Sequence, residues 1–120
     1  MSDIKKLIRE DLEEMDGKRD VVKAGVLDRM LIKKVPPKQL HANPADEFSF
    51  PDIGPNDSIV TNYSQIARRS DSLGEPVFED PIIVNKLREG GYLILNGHHR
   101  WAGAIQAHMK TVRIQITNTL

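Results

Sequence analysis

Asn96-Gly97-His98-His99-Arg100-Trp101-Ala102-Gly103-Ala104 joins an apolar run to a helical one through a glycine followed by three side chains able to carry positive charge. Upstream, Tyr92-Leu93-Ile94-Leu95 reads as a short buried strand, and Asn96 suits the N-cap of the helical run after it. Downstream, Trp101, Ala104, Ile105, Ala107 and Met109 recur at the three- and four-residue spacings of one helical face. A helix N-terminus presents unpaired N–H groups and the positive end of the dipole. An anion held there comes within reach of His98, His99 or Arg100, and phosphate is the obvious candidate. Gly97 suits both a tight turn and close backbone approach to a ligand, and the Arg100 fork suits bidentate contact. His98 and His99 diverge by about 100° on a helix, so only one is expected to face the site.

Outward from this turn, Thr111 to Thr117 alternates Val112, Ile114 and Ile116 with polar residues and reads as a final strand with one buried face. Val77 to Leu87, interrupted at Pro81, reads as a strand, and Glu89-Gly90-Gly91 as the turn of a hairpin into Tyr92. Asn56 or Asp57 is expected to cap a helix over about 58–72, with Ile59, Tyr63, Ile66, Ala67 and Leu73 on or near its buried face and Gly74 as terminator. From Pro36 to Pro55 four prolines (Pro36, Pro37, Pro44, Pro51) point to an irregular, exposed loop. A loop this long in a small domain is more often functional than idle.

The N-terminal part stands apart. Ile4, Leu7, Ile8, Leu12 and Met15 share one helical stripe, with Ser2 or Asp3 as cap and Gly17 as terminator. Glu10, Asp11, Glu13 and Glu14 make an acidic outer face. The helix over 4–15 is expected to pack on the domain, with a homodimer or partner-docking role as the alternative. Lys18 to Met30 has helical spacing weakened by Gly25 and reads as a short helix.

Gly97-His98-His99-Arg100, between a strand and a helix near the C-terminal end of the chain, resembles the signature of the ParB/sulfiredoxin superfamily. Sulfiredoxins carry Gly-Cys-His-Arg there, ParB partition proteins Gly-Glu-Arg-Arg, and free serine kinases of the superfamily Gly-His-His-Arg, the form found here. Leu31 to Val35 as a first strand followed by Pro36-Pro37, then Leu40-His41-Ala42-Asn43-Pro44, Asp80-Pro81-Ile82-Ile83-Val84 and Gly91-Tyr92, fall in the family's order. The resemblance covers Leu31 to Thr117. It implies an α+β fold, a small mixed sheet flanked by helices, with a domain over 31–120 and a helical extension over 1–30.

The resemblance also implies a nucleotide, ATP, ADP or CTP, bound through Asn96, Gly97, His98, His99 and Arg100, with Mg²⁺ accompanying its phosphates. Taken in its Gly-His-His-Arg form, it implies phosphoryl transfer to a small hydroxyl compound such as serine, and His99 is the better candidate for the phosphate. The general base would come from the loop after the first strand, where Asp46 and Glu47 are the candidates. The alternative is a ParB-like nucleotide-dependent switch in DNA partition or transcription regulation. His98-His99 replaces the Glu-Arg pair of partition proteins, and no helix-turn-helix follows in the sequence, so such a switch would act with a partner or a further DNA-binding domain. A binding module without turnover is a third possibility, and a nuclease ranks last for want of a carboxylate cluster.

Composition bounds these readings. The 120 residues, 39% hydrophobic, suffice for one core. Lys plus Arg and Asp plus Glu balance at 17 each, so direct DNA binding through a broad basic face is not expected from this chain alone. The absence of cysteine excludes a thiolate site, a disulfide and the sulfiredoxin reaction, since His98 stands at the reactive cysteine's position. His41 and His108 lack zinc-like spacing, so no protein-held metal is expected. Trp101 is expected in the core. No apolar run is long enough to span a membrane, and no signal peptide is apparent, which leads to the expectation of a cytoplasmic protein.

Overall fold

Alternation along Val112–Ile116 governs the centre of the molecule: Val112, Ile114 and Ile116 are buried while Arg113 and Gln115 are not. The structure, a computed structural model, describes residues 3–23, 25–26, 31–50, 52–73 and 80–117. Its five strands are β1 (Ile32–Val35), β2 (Leu40–His41), β3 (Ile82–Lys86), β4 (Tyr92–Asn96) and β5 (Val112–Ile116). They form one sheet in the order β1-β5-β3-β4-β2. β1 with β5 and β3 with β4 are antiparallel, whereas β3 with β5 and β2 with β4 are parallel. Ile82 sits opposite Ile114, so the buried positions of neighbouring strands fall on one face, completed by Val84 and Ile94. The sheet is mixed and the fold α+β, as the resemblance implies.

Among the described residues, the helices α1 (Asp3–Glu14), α2 (Asp57–Leu73) and α3 (His98–Gln106) accompany it. α3 buries Trp101, Ala102, Gly103 and Ala104, and the Trp101 indole donates to the Pro37 carbonyl at 2.9 Å. Asn56 is the residue that caps α2, its Oδ1 accepting from the Ile59 amide at 3.1 Å. The buried face of α2 differs from the expected one. Val60, Ser64 and Ala67 are buried, whereas Ile59 and Ile66 are 42% and 38% exposed. The reason is the close approach of α3: a Cβ on Gly103 would lie 2.7 Å from Tyr63 Cβ and 2.9 Å from the Ser64 amide nitrogen. Only small side chains fit between backbones this near, so α2 turns Ser64 and Ala67 inward and Ile59 and Ile66 out. The side chain of Leu73 and the expected terminator Gly74 lie outside the described residues.

α1 places Ile4 and Ile8 in the same apolar cluster as the sheet and buries Met15. Asp11 departs from the expected acidic outer face. It is buried, accepting from His41 Nδ1 at 2.7 Å and from the Ala42 amide at 2.7 Å, and so pins α1 to β2. The short helix expected over 18–30 is not formed in the part described before Ala24. Val21 instead bridges Leu87, the Val22 amide donates to the Lys86 carbonyl at 3.0 Å, and the Arg88 amide donates to the Asp20 carbonyl at 2.7 Å. Two adjacent β-branched residues favour this extended pairing over a helical turn. Residues 24 and 27–30, and Val77 to Glu79 of the strand expected over 77–87, lie outside the described residues.

Pro36 to Pro55 is not the exposed loop that its prolines suggest. It contains 3-10 turns at Pro37–Gln39 and Glu47–Ser49 with β2 between them, and it buries Pro37, Leu40, Ala42, Phe48, Ser49 and Pro55. Pro37, at the start of the first 3-10 turn, stands where a missing N–H costs least. The hairpin expected at Glu89-Gly90-Gly91 is present, with φ +100° at Gly90 and +81° at Gly91.

Gly103→Ala is expected to destabilise the domain by about 1–3 kcal/mol, because the new methyl meets backbone of α2. Gly25→Ala, with nothing within 4 Å of the added Cβ, serves as the control. Urea denaturation of both variants checks this, and equal midpoints would remove the close helix approach as the reason for the inverted face of α2.

Candidate functional site

β4 ends at Asn96 and the chain turns into α3 through Gly97, whose φ of +114° and ψ of +21° lie in the left-handed region. Gly97, not Asn96, is therefore the N-cap. A side chain there would be strained and would bring Cβ to 3.0 Å from Arg100 Nη2 and 3.1 Å from Ile82 Cγ2. A glycine cap has no side chain to offer the first-turn amides, and none caps them here. The helix thus keeps its N-terminal donors and dipole facing outward. They face a cavity of about 720 Å³ lined by Asn96, Gly97, His98, His99 and Arg100, with Ile59, Tyr63 and Ile66 of α2 on its wall and Asp80 at its edge.

The two histidines are held by the loop. His98 is 4% exposed, and its Nε2 accepts from the Asn43 amide at 2.9 Å. His99, half-buried, accepts through Nε2 from the Asn56 amide at 3.1 Å. A ring nitrogen that accepts an amide proton cannot carry one, so both rings are neutral with the proton on Nδ1. The Phe48 ring packs on both, with centroids 5.1 Å from His98 and 5.0 Å from His99, and reaches Trp101 at 6.3 Å. Burial lowers the His98 pKa from 6.5 to about 4 against the opposing pull of Asp46. His99 is lowered as well, again by burial and against Asp46.

Arg100 commits its fork to the protein. Nη1 donates to the carbonyls of Asp80 and Pro81 at 2.9 and 3.0 Å, and Nη2 donates to Asn96 Oδ1 at 3.2 Å. It therefore fastens the segment leading into β3 to the motif, while remaining on the cavity wall. Asp46 accepts from the Phe48 amide at 3.0 Å, capping the second 3-10 turn, and its Oδ1 stands 3.8 Å from His98 Nδ1. Glu47 is exposed on that turn. The structure thus gathers Asn96 to Arg100 around one cavity and brings Asp46 to its buried histidine. Neither Asp46 nor Glu47 is on the cavity wall.

Sequence reasoning misses Phe48, the ring that supports both histidines, and Asn43 and Asn56 as backbone donors to them. Phe48-Ser49-Phe50, an aromatic pair inside a proline-rich segment, is the available signal that this segment is packed. Ile59 and Ile66 read as core and prove to be cavity wall. Among the described residues no group of three or more His, Cys, Asp or Glu side chains is placed to hold a metal ion. No described helix is long and apolar enough to cross a membrane.

The ParB N-terminal domain family model matches residues 58–120. No curated protein matches. Among solved structures, ParB from Caulobacter crescentus complexed with CTP-gamma-S is 25% identical, with a TM-score of 0.59 over 75% of this chain and 46% of that one. The same partitioning protein complexed to the centromeric parS site is 25% identical, with a TM-score of 0.53 over 72% of this chain and 39% of that one. Sulfiredoxin from Arabidopsis thaliana is similar in fold, at 17% identity and a TM-score of 0.53, over 74% of this chain and 86% of that one. The chain spans less than half the length of the ParB chains it matches.

Between its folded pKa of about 4 and its unfolded value near 6.5, His98 binds more protons in the unfolded chain than in the folded one. Its neutrality therefore stabilises the fold above about pH 6.5, by on the order of 3 kcal/mol, and that contribution is lost as pH falls towards 4. His98→Gln retains an acceptor for the Asn43 amide but does not titrate. Urea midpoints measured from pH 7 down to pH 4.5 are expected to fall more steeply for the wild type than for the variant. Parallel curves would show that the ring is not held neutral.

Proposed function

Because the chain belongs to the ParB N-terminal domain family, we propose that it binds the phosphates of a nucleotide at the N-terminus of α3, with CTP the first candidate and ATP or ADP the next. The observation that carries this reading is the uncapped start of α3, opening through Gly97 into a 720 Å³ cavity beside His99 and Arg100. First-turn N–H groups there supply donors and a positive dipole end to a phosphate. His99 faces it with an Nδ1 proton to donate, whereas His98 holds the loop. The CTP-gamma-S carried by the similar Caulobacter crescentus ParB supports CTP as the first candidate.

Phosphate oxygens and retained waters would together supply most ligands of an accompanying Mg²⁺, which would ask for few from the protein. Asp80, on the cavity lining, is the carboxylate that would complete its shell or orient its waters. When bound, Mg²⁺ neutralises phosphate charge. The chain's own part is to fix the phosphates with α3 and to keep their surroundings formed through Phe48 and the two histidines.

Two downstream roles follow from the resemblance. One is a ParB-like nucleotide-dependent switch, acting with a partner or a further DNA-binding domain. The other is phosphoryl transfer to a small hydroxyl compound such as serine, for which the Asp46 carboxylate 3.8 Å from His98 is the favouring observation. In that reaction Asp46 or Glu47 would accept the hydroxyl proton as the acceptor oxygen bonds to the terminal phosphorus and the bond to the bridging oxygen breaks, releasing the nucleotide one phosphate shorter.

Thermal unfolding with CTP, ATP, ADP and GTP, each with and without Mg²⁺, tests the site. A ligand at about 100 times its dissociation constant adds roughly 2.7 kcal/mol, a shift of several degrees. Gly97→Ala is expected to remove the shift by straining the turn. Arg100→Ala is expected to lower stability by about 1–3 kcal/mol without ligand, since it leaves two carbonyls unpaired, as well as weakening binding. No shift with any nucleotide would refute the site. If binding holds, Asp46→Asn or Glu47→Gln separates the two roles: loss of ATP-dependent serine phosphorylation with binding retained identifies the base.

A further inference from the structure

A second concavity, of about 820 Å³, lies between α1 and the segment from Phe48 to Pro55. Its accessible apolar surface comes chiefly from Leu12 and Phe50, with the buried Ile8, Phe48 and Pro55 behind them. It shares Phe48 with the ring contacts of His98 and His99 but has no wall in common with the motif cavity. Its volume falls in the range of binding sites for small molecules and short peptides.

The charges along its rim are ordered by sign. Lys5, Arg9, Glu13 and Asp16 succeed one another along the α1 edge of the groove, all exposed. The first three recur every four residues and so share one helical face. This order opposes the helix dipole, which favours acids in the first turn and bases in the last. α1 has no basic residue in its last turn and ends Asp11-Leu12-Glu13-Glu14. Arg9 and Glu13 gain some i,i+4 attraction, but the helix dipole does not account for two cations at the start of the groove and two anions at its end. A ligand of the opposite polarity does.

Lys5 and Glu13 are separated by eight residues, a rise of about 12 Å along the helix. A free amino acid, with both charges on one carbon, cannot reach both ends. An extended chain advances about 3.3 Å per residue, so four to six residues span the distance. We propose that the groove between α1 and Phe48–Pro55 binds an extended peptide segment of a partner protein. Its acidic end lies against Lys5 and Arg9, its apolar centre on the half-buried Leu12 and Phe50, and its basic end against Glu13 and Asp16. This proposal does not rest on nucleotide binding at α3.

The test titrates the isotopically labelled full chain by NMR with the capped hexapeptide Asp-Asp-Leu-Phe-Lys-Lys. Its all-acidic and all-basic counterparts, with Asp or Lys at all four charged positions, are titrated in parallel. Amide shifts confined to residues 5–16 and 48–55 are expected, with the mixed peptide favoured over both counterparts by about tenfold, the size expected when two rim pairs turn from attractive to repulsive. Glu13→Lys combined with Asp16→Lys, both at exposed positions, is expected to transfer that preference to the all-acidic peptide while leaving the melting temperature near that of the wild type. Equal affinity for the three peptides, no shifts at millimolar peptide, a double variant with unchanged preference, or the same shifts from free serine alone would each overturn the proposal.

Discussion

Two hydrogen bonds from loop amides to neighbouring imidazole rings, Asn43 to His98 and Asn56 to His99, hold the segment between β2 and α2 against the start of α3. Side chains adjacent on a helix diverge by about 100°, which is why two consecutive histidines can reach two well-separated points of the chain. Each bond adds only about 1 kcal/mol net, but a partly buried amide left without its acceptor costs more than that. The rings must stay neutral to serve, and burial beneath Phe48 keeps them so. Gly97 sets where the rings begin, and Arg100 fastens the far side of the same turn to Asp80 and Pro81. Four consecutive residues thereby fix three separate stretches of chain.

The same atoms face in two directions energetically. A phosphate at the start of α3 would favour the charged imidazolium by direct attraction. A protonated Nε2 cannot accept from an amide, so the charged ring and the fastened loop exclude one another at His98 and at His99. His98, buried and paired with Asn43, is the harder of the two to charge and is the conservative member. His99, less buried, is the one whose proton is more readily gained. The divergence of the two side chains thus lets two identical residues hold two different points of the loop at different depths of burial.

The order of strands and helices was legible because it is written in local periodicity. The alternation of Val112, Ile114 and Ile116, the glycine pair before Tyr92 and the Asn56 cap each act over a few residues. What was not legible depends on contacts far apart in sequence. The buried face of α2 is set by how closely Gly103 lets α3 approach, and nothing within α2 records that distance. Asp11 reads as one more surface acid, and only the arrival of His41 and Ala42 gives it partners in the core. Prolines marked Pro36 to Pro55 as irregular, correctly for hydrogen bonding between strands but not for burial, since Phe48 and Leu40 draw the segment inward. At the site, the positions of Asn96 to Arg100 followed from the motif. Their occupations did not, because a backbone amide as partner leaves no mark in the sequence.

Arg100 illustrates how a site residue and a fold residue can be one. Its guanidinium has five N–H donors, and three of its contacts go to Asp80, Pro81 and Asn96. Lysine would keep the charge but could not bridge two carbonyls and an amide oxygen in one plane. The part of the cavity wall formed by Asp80 and Asn96 is therefore organised by the same cation that supplies positive potential to it. Loss of that residue disturbs the shape of the cavity together with its charge, so a binding defect at Arg100 gains meaning only beside Gly97, where the turn changes without removing any charge.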